Sequence, residues 1–176
     1  MDADLFHLNR PVHLARRDVF YEQARQMIGH LSIHKDPADQ YETAKQALAL
    51  FQNALHHAKA ANQSQEAEDG DLLFYDFLDA AVDNTQSITR MLRRQRAVES
   101  ETSPVIRFLN SEDSGSKMAA HYRRCAAHIL KGLLHILAQA EKPYQKLQQS
   151  TAEKAPPEER TRYEKARQYL LTLEHD

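Results

Sequence analysis

Chemically capable residues concentrate between Lys117 and Glu141, KMAAHYRRCAAHILKGLLHILAQAE, the most apolar and most histidine-bearing stretch of the chain. It is wound here as a helix at about 100° per residue. Met118, Ala119, Tyr122, Ala126, Ile129, Leu130, Leu133, Ile136, Leu137 and Ala140 then share one broad arc. Lys117, His121, Arg124, His128, Lys131, Gly132, His135 and Gln139 share the opposite one. An imidazole in the middle of a polar arc faces water, so His128 is placed to take up a proton or a group from solution. The neighbouring cations make the arc a site for an anion. His121, Arg124, His128, Lys131 and His135 are accordingly the candidate binding residues, and protonation of the histidines would make their contact sensitive to pH.

Other chemistries find less support. His30 and His34 stand one helical turn apart, and His121, Cys125 and His128 fall on adjoining faces. A zinc site needs three or four ligands, and no His-Glu-x-x-His or Glu-x-x-His pair adds them, so neither a metal nor another cofactor is expected. No serine or cysteine nucleophile motif is present, and four glycines leave little room for a phosphate-cradling loop. No catalytic residues are assigned on this basis, and enzyme chemistry is not expected.

Ala127-His128-Ile129-Leu130-Lys131-Gly132 resembles the signature of histidine phosphotransfer domains, the four-helix-bundle proteins that relay phosphoryl groups between response-regulator receivers. The resemblance implies His128 as phosphoacceptor, with Lys131 and Arg124 offsetting the phosphoryl charge and Gly132 giving the partner clearance. It is confined to this helix. Where the family follows its glycine with small residues and a second glycine, this chain has Leu133, Leu134, His135 and Ile136. The spacing Arg-x4-His, at Arg123–His128 and Arg25–His30, is similar to that of the all-helical HEPN-class ribonucleases, which would imply RNA cleavage.

The elements that position these residues read as helices throughout. Gly (4) and Pro (6) are scarce, and no window alternates with period two. Residues 1–17 form a leader whose Leu5, Phe6, Leu8, Val12 and Leu14 are able to pack across a bundle, followed by a helix over residues 18–34. Asp36–Pro37 signals a capped restart, and the next helix runs to Asn62 with Tyr41, Ala44, Leu48, Phe51, Leu55 and Ala58 on its seam. After a polar connection at 62–70, a third helix over residues 71–98 carries Phe74, Leu78, Ala81, Thr85, Ile88 and Leu92. Its tail RMLRRQR is expected to sit at a helix C-terminus, where the dipole favours cations. Residues 99–115 read as a long mobile loop. The histidine-bearing helix should kink or restart at Pro143, and a last helix spans residues 158–174 with Tyr163, Ala166, Leu170 and Leu173 on one stripe. Three segments echo one another: YEQARQ from Tyr21, YETAKQ from Tyr41 and YEKARQ from Tyr163. We read them as bundle helices sharing one seam grammar.

The chain of 176 residues is expected to be one all-α domain, an up-and-down bundle of about five helices. Lys plus Arg (23) nearly balance Asp plus Glu (25), which argues against a general nucleic-acid binder. The first residues, MDADLFHLNR, lack a basic-then-apolar pattern, so no secretory signal is expected. ILKGLLHIL is too short and too interrupted to span a bilayer. A single cysteine, Cys125, allows no internal disulfide. The expected function is a non-enzymatic cytoplasmic interaction module, such as an adaptor or small subunit, that binds a protein partner or a second copy of itself. The long seams of helices two and three, more than a minimal bundle needs, support that expectation.

Overall fold

Apolar residues stepping by three and four dictate helices, and the described residues of the computed structural model form five of them. They are α1 (Asp2–Leu31), α2 (Pro37–Asn62), α3 (Asp69–Glu101), α4 (Ser114–Lys154) and α5 (Pro157–Leu173). The structure describes residues 2–31, 33, 36–63, 66–101 and 114–173, of which 2–8, 37, 101 and 114–116 are described by backbone alone. No strand occurs among the described residues, and none of their helices is long and apolar enough to cross a membrane.

The helices run alternately up and down. Asn62 near the end of α2 bonds Asp71 at the start of α3, and Arg123 early in α4 meets Glu99 late in α3. At the other end of that pair, a side chain at Gly70 would touch Leu147. α5 returns parallel to α1, because Tyr163 and Arg167 engage Asp18 and Glu22 in the same order. Asp36 Oδ1 accepts from the Ala38 N–H at 3.0 Å, and Pro37 follows as the first helical residue, which is the restart read from the sequence.

The α3 seam is buried as expected: Phe74, Leu78, Ala81, Thr85, Ile88 and Leu92 are all covered, and Gln95 extends the row. The Thr85 hydroxyl is satisfied within its own helix, donating to Ala81 O at 2.7 Å. On α2 the buried row is Ala44, Ala47, Phe51, Ala54, Ala58 and Ala61, with Tyr41, Leu48 and Leu55 at its rim. Tyr21, Phe74 and Tyr144 form an aromatic nucleus with ring centroids 4.8–5.1 Å apart, so α1, α3 and α4 meet there.

Several expectations are corrected. Residues 2–17 are not a separate leader but the first half of α1, which passes through Pro11; Leu14 and Ala15 pack there against Ala61 and Tyr163. Leu5, Phe6 and Leu8 are described by backbone only. α4 likewise continues through Pro143, with Ala140, Tyr144 and Leu147 buried around it. An interior proline costs a helix about 3 kcal/mol, and the burial on both sides offsets that. The expected loop 99–115 is helical at both ends, and residues 102–113 lie outside the described residues. α1 touches α2, α4 and α5. The seams of α2 and α3 are spent inside the chain, which removes the surplus-seam argument for a partner.

Below the aromatic nucleus lies a buried ionic knot. The Arg17 guanidinium donates to Asp18 Oδ1 at 2.8 Å and to Asp71 Oδ1 at 3.2 Å, and rests 5.2 Å from the Phe74 centroid. Arg10 reaches Asp71 Oδ2 at 3.1 Å, and the Tyr163 hydroxyl donates to Asp18. Burial alone would lower the Arg17 pKa, but Asp18 and Asp71 outweigh it and hold the group protonated. Removing one member of a buried network strands its partner's charge. Asp71→Ala is therefore expected to lower the unfolding free energy by about 3 kcal/mol or more in urea titrations. A loss below about 1 kcal/mol would mean that the knot behaves like a surface pair.

Candidate functional surface

The α4 face proposed by helical projection is exposed. Lys117, His121, Arg124, His128, Lys131, Gly132, His135 and Gln139 all stand in solvent, while Ala119, Ala126, Leu133, Leu137 and Ala140 are buried opposite. Met118, expected on the apolar arc, is 48% exposed. A side chain at Gly132 would meet nothing within 4 Å, so the surface beside His128 and Lys131 is open. His121 Nε2 lies 3.7 Å from Cys125 Sγ.

Neither Arg-x4-His pair is brought together. Five residues set the two side chains about 140° apart on a helix, and both arginines are engaged elsewhere. Arg123 leans on α3, 3.4 Å from Glu99 Oε1 and 3.1 Å from the Gln95 side-chain amide. Arg25 pairs with Glu141 and lies 5.2 Å over the Tyr21 ring, whereas His30 is exposed. His34 lies outside the described residues, and among the described residues no three potential metal ligands converge.

The arginine cluster on α3 sits differently from expectation. α3 runs on to Glu101 and its last turn holds no basic residue, so Arg90, Arg93, Arg94 and Arg96 lie too far from the end for the dipole to account for them. Arg96 lies 5.6 Å over the Tyr41 ring, and the other three are exposed. With Arg123 beside Gln95 and Leu147 beside Gly70, the α3–α4 register sets Arg94 level with Arg124 and Arg90 level with His128. The basic surface is thus wider than α4 alone. Ser114 to Ala140 of α4 contains no Asp or Glu, and neither does Arg90 to Val98 of α3.

Among the described residues, two of the indentations lie at the α1 ends of the bundle contacts. One of about 490 Å³ is lined by Arg10, Leu14, Glu68, Asp71, Lys154 and Tyr163. The other, of about 450 Å³, is lined by Glu22, Arg25, Glu141, Tyr144 and Gln148. In the second, Tyr144 Oη donates to Glu22 Oε1 at 2.6 Å and Arg167 reaches Oε2 at 3.0 Å, so its charges pair with one another. Sequence reasoning missed both. For the knot that borders the first, through Asp71, the signal in the sequence was Arg17 and Asp18 interrupting the apolar positions Leu14, Val19 and Tyr21.

A third polar contact had no such signal. His13 Nδ1 and His57 Nδ1 face each other at 2.9 Å between α1 and α2, with Phe20 stacked on His57. One imidazole donates and the other accepts, so the accepting ring must be neutral. Burial, with the charges of His13, Arg16 and His56, lowers the His57 pKa to about 4. An unfolded histidine titrates near 6.5. The folded pKa is depressed, so the stabilisation is complete above about pH 6.5 and is lost as pH falls toward 4. Wild type should lose thermal stability across that window more steeply than His57→Gln, as followed by circular dichroism. Parallel loss would show that the pair does not govern acid sensitivity.

No protein family, curated protein or solved structure matches this chain, so its surface is interpreted from its own residues.

Proposed function

We propose that the chain is a non-enzymatic, cytoplasmic interaction module that engages an acidic partner protein through the α4 face formed by His121, Arg124, His128, Lys131 and His135. One observation carries this reading: the five side chains are all exposed on one side of a helix that has no carboxylate from Ser114 to Ala140. Clustered like charge raises the energy of the isolated chain, and an anionic partner relieves it. Such complementarity sets orientation and encounter rate more than affinity.

A second reading follows the exposure of His128 beside Lys131 and open Gly132, the features in which α4 resembles a histidine phosphotransfer helix. Under it, His128 accepts a phosphoryl group whose charge Lys131 and Arg124 offset.

The two readings separate in affinity capture from host extract with three baits: wild type, His128→Gln and Arg124→Glu/Lys131→Glu. Each bait is first checked for an unchanged helical spectrum. The interaction reading expects one stable partner on the first two baits and a loss of roughly tenfold or more on the third. Equal capture by all three would remove the α4 face from the interaction. Capture of a receiver protein with His128-dependent phosphoryl transfer would favour the second reading.

A further inference from the structure

The main apolar core is complete without α5. Its buried residues, and the half-buried ones around them, come from α1 to α4 alone. α5 joins a smaller cluster, in which Tyr163 packs with Leu14, Ala15 and Ala61 and Ala166 lies at the edge. Tyr163 is the one buried residue of α5. Of the stripe expected from its sequence, Leu170 is half-buried and Leu173 is 53% exposed, while Tyr169 beside them is 65% exposed. Ala155 and Pro156 interrupt the helix ahead of it, so α5 is a separate rod joined at one end. Few buried apolar contacts mark an element that opens before the rest of a fold.

α5 is held instead by a polar ladder on α1. The Tyr163 hydroxyl donates to Asp18 Oδ2, and one turn on Arg167 donates to Glu22 Oε2 at 3.0 Å. Both pairs are 145 residues apart in the chain, as two parallel helices in register require. At the start of α5, Arg160 donates to Ala152 O at 3.0 Å across the break. Both carboxylates of the ladder keep donors when α5 is lifted away. Asp18 Oδ1 still accepts from Arg17 at 2.8 Å, and Glu22 Oε1 still accepts from Tyr144 at 2.6 Å and Gln148 at 3.1 Å. The oxygens that lose α5 then meet water. Undocking therefore strands no charge inside the bundle, which is the cost that usually keeps a buried network closed.

We propose that α5 is a displaceable plug, and that the strip beneath it is a docking site for a helix of a partner protein. The strip consists of Leu14, Ala15 and Ala61 with Asp18 and Glu22 one turn apart, so it is complementary to a helix that is apolar and basic on one face. The required element is a tyrosine followed four residues on by an arginine, the arrangement that α5 presents as Tyr163 and Arg167. The ring supplies contact area and its hydroxyl meets Asp18, while the guanidinium makes a charge-assisted bond to Glu22. Anchors one turn apart on a helix laid in a groove are a recurring mode of recognition. α5 competes from a tether, so the apparent affinity for the partner helix scales with the fraction of chains whose groove is empty.

The test uses the full chain and a fluorescein-labelled synthetic peptide of residues 157–173. In wild type, amide hydrogen exchange should show α5 opening while α1 to α4 stay protected. Tyr163→Phe/Arg167→Glu, which alters α5 only, should release α5 and leave the other helices protected. The peptide should then bind this variant roughly tenfold or more tighter than wild type by fluorescence anisotropy. A peptide carrying the same two changes should bind neither. Any of four results overturns the proposal: α5 as strongly protected as α1 to α4 in wild type; α5 no less protected in the variant; protection lost from α1 to α4 together with α5; or no peptide binding to a variant whose α5 is free. Light scattering that shows a wild-type dimer and a monomeric variant would seat α5 of a second copy in the groove, and would overturn its assignment to a partner protein.

Discussion

The structure depends on a guanidinium that no water reaches. Arg17 is 1% exposed, and its charge is held by Asp18 from its own helix and Asp71 from the start of α3. A buried cation finds few geometries that satisfy it, and each wrong one costs several kcal/mol. Its pairing therefore fixes how α1 lies against α3. Tyr163, which donates to Asp18, fixes where α5 docks. Alanine-rich rows on α2 would allow sliding along α1, because small side chains offer shallow ridges. The His13–His57 contact and the packing of Tyr21 on Phe51 remove that freedom, while the ionic knot and the Tyr21–Phe74–Tyr144 nucleus hold α1 against α3 and α4.

The repeated Tyr-Glu-x-Ala-Lys/Arg segments acquire a local meaning in this frame. In each, the cation one turn on folds over the tyrosine ring: Arg25 at 5.2 Å from Tyr21, Lys45 at 5.7 Å from Tyr41 and Arg167 at 5.9 Å from Tyr163. The echo is a cation–π turn used three times. In α1 and α5 it also aims the arginine at a carboxylate on another helix, Glu141 for Arg25 and Glu22 for Arg167.

Much of this was legible in the sequence. Periodicity found the α3 seam residue for residue and separated the two faces of α4, because a regular amphipathic helix leaves each residue one choice of side. It failed where tertiary contacts override local chemistry. Pro143 read as a break, yet it sits in a helix whose neighbours bury enough to hold it. His13 and His57 are separated by most of two helices and carry no shared pattern. The arginines of α3 looked like C-terminal dipole partners only while the helix was expected to stop near Val98. Three more helical residues strand them mid-helix and turn a local explanation into a surface.

The primacy of the buried guanidinium is open to native-state amide hydrogen exchange on wild type and Arg17→Met, which keeps an apolar stem and removes the charge. If Arg17 fixes how α1 lies against α3 and, through Asp18 and Tyr163, where α5 docks, protection falls by roughly tenfold or more in α1, in the first turns of α3 and around Tyr163 together. A loss confined to α1, with α3 and α5 protected as in wild type, would contradict that account.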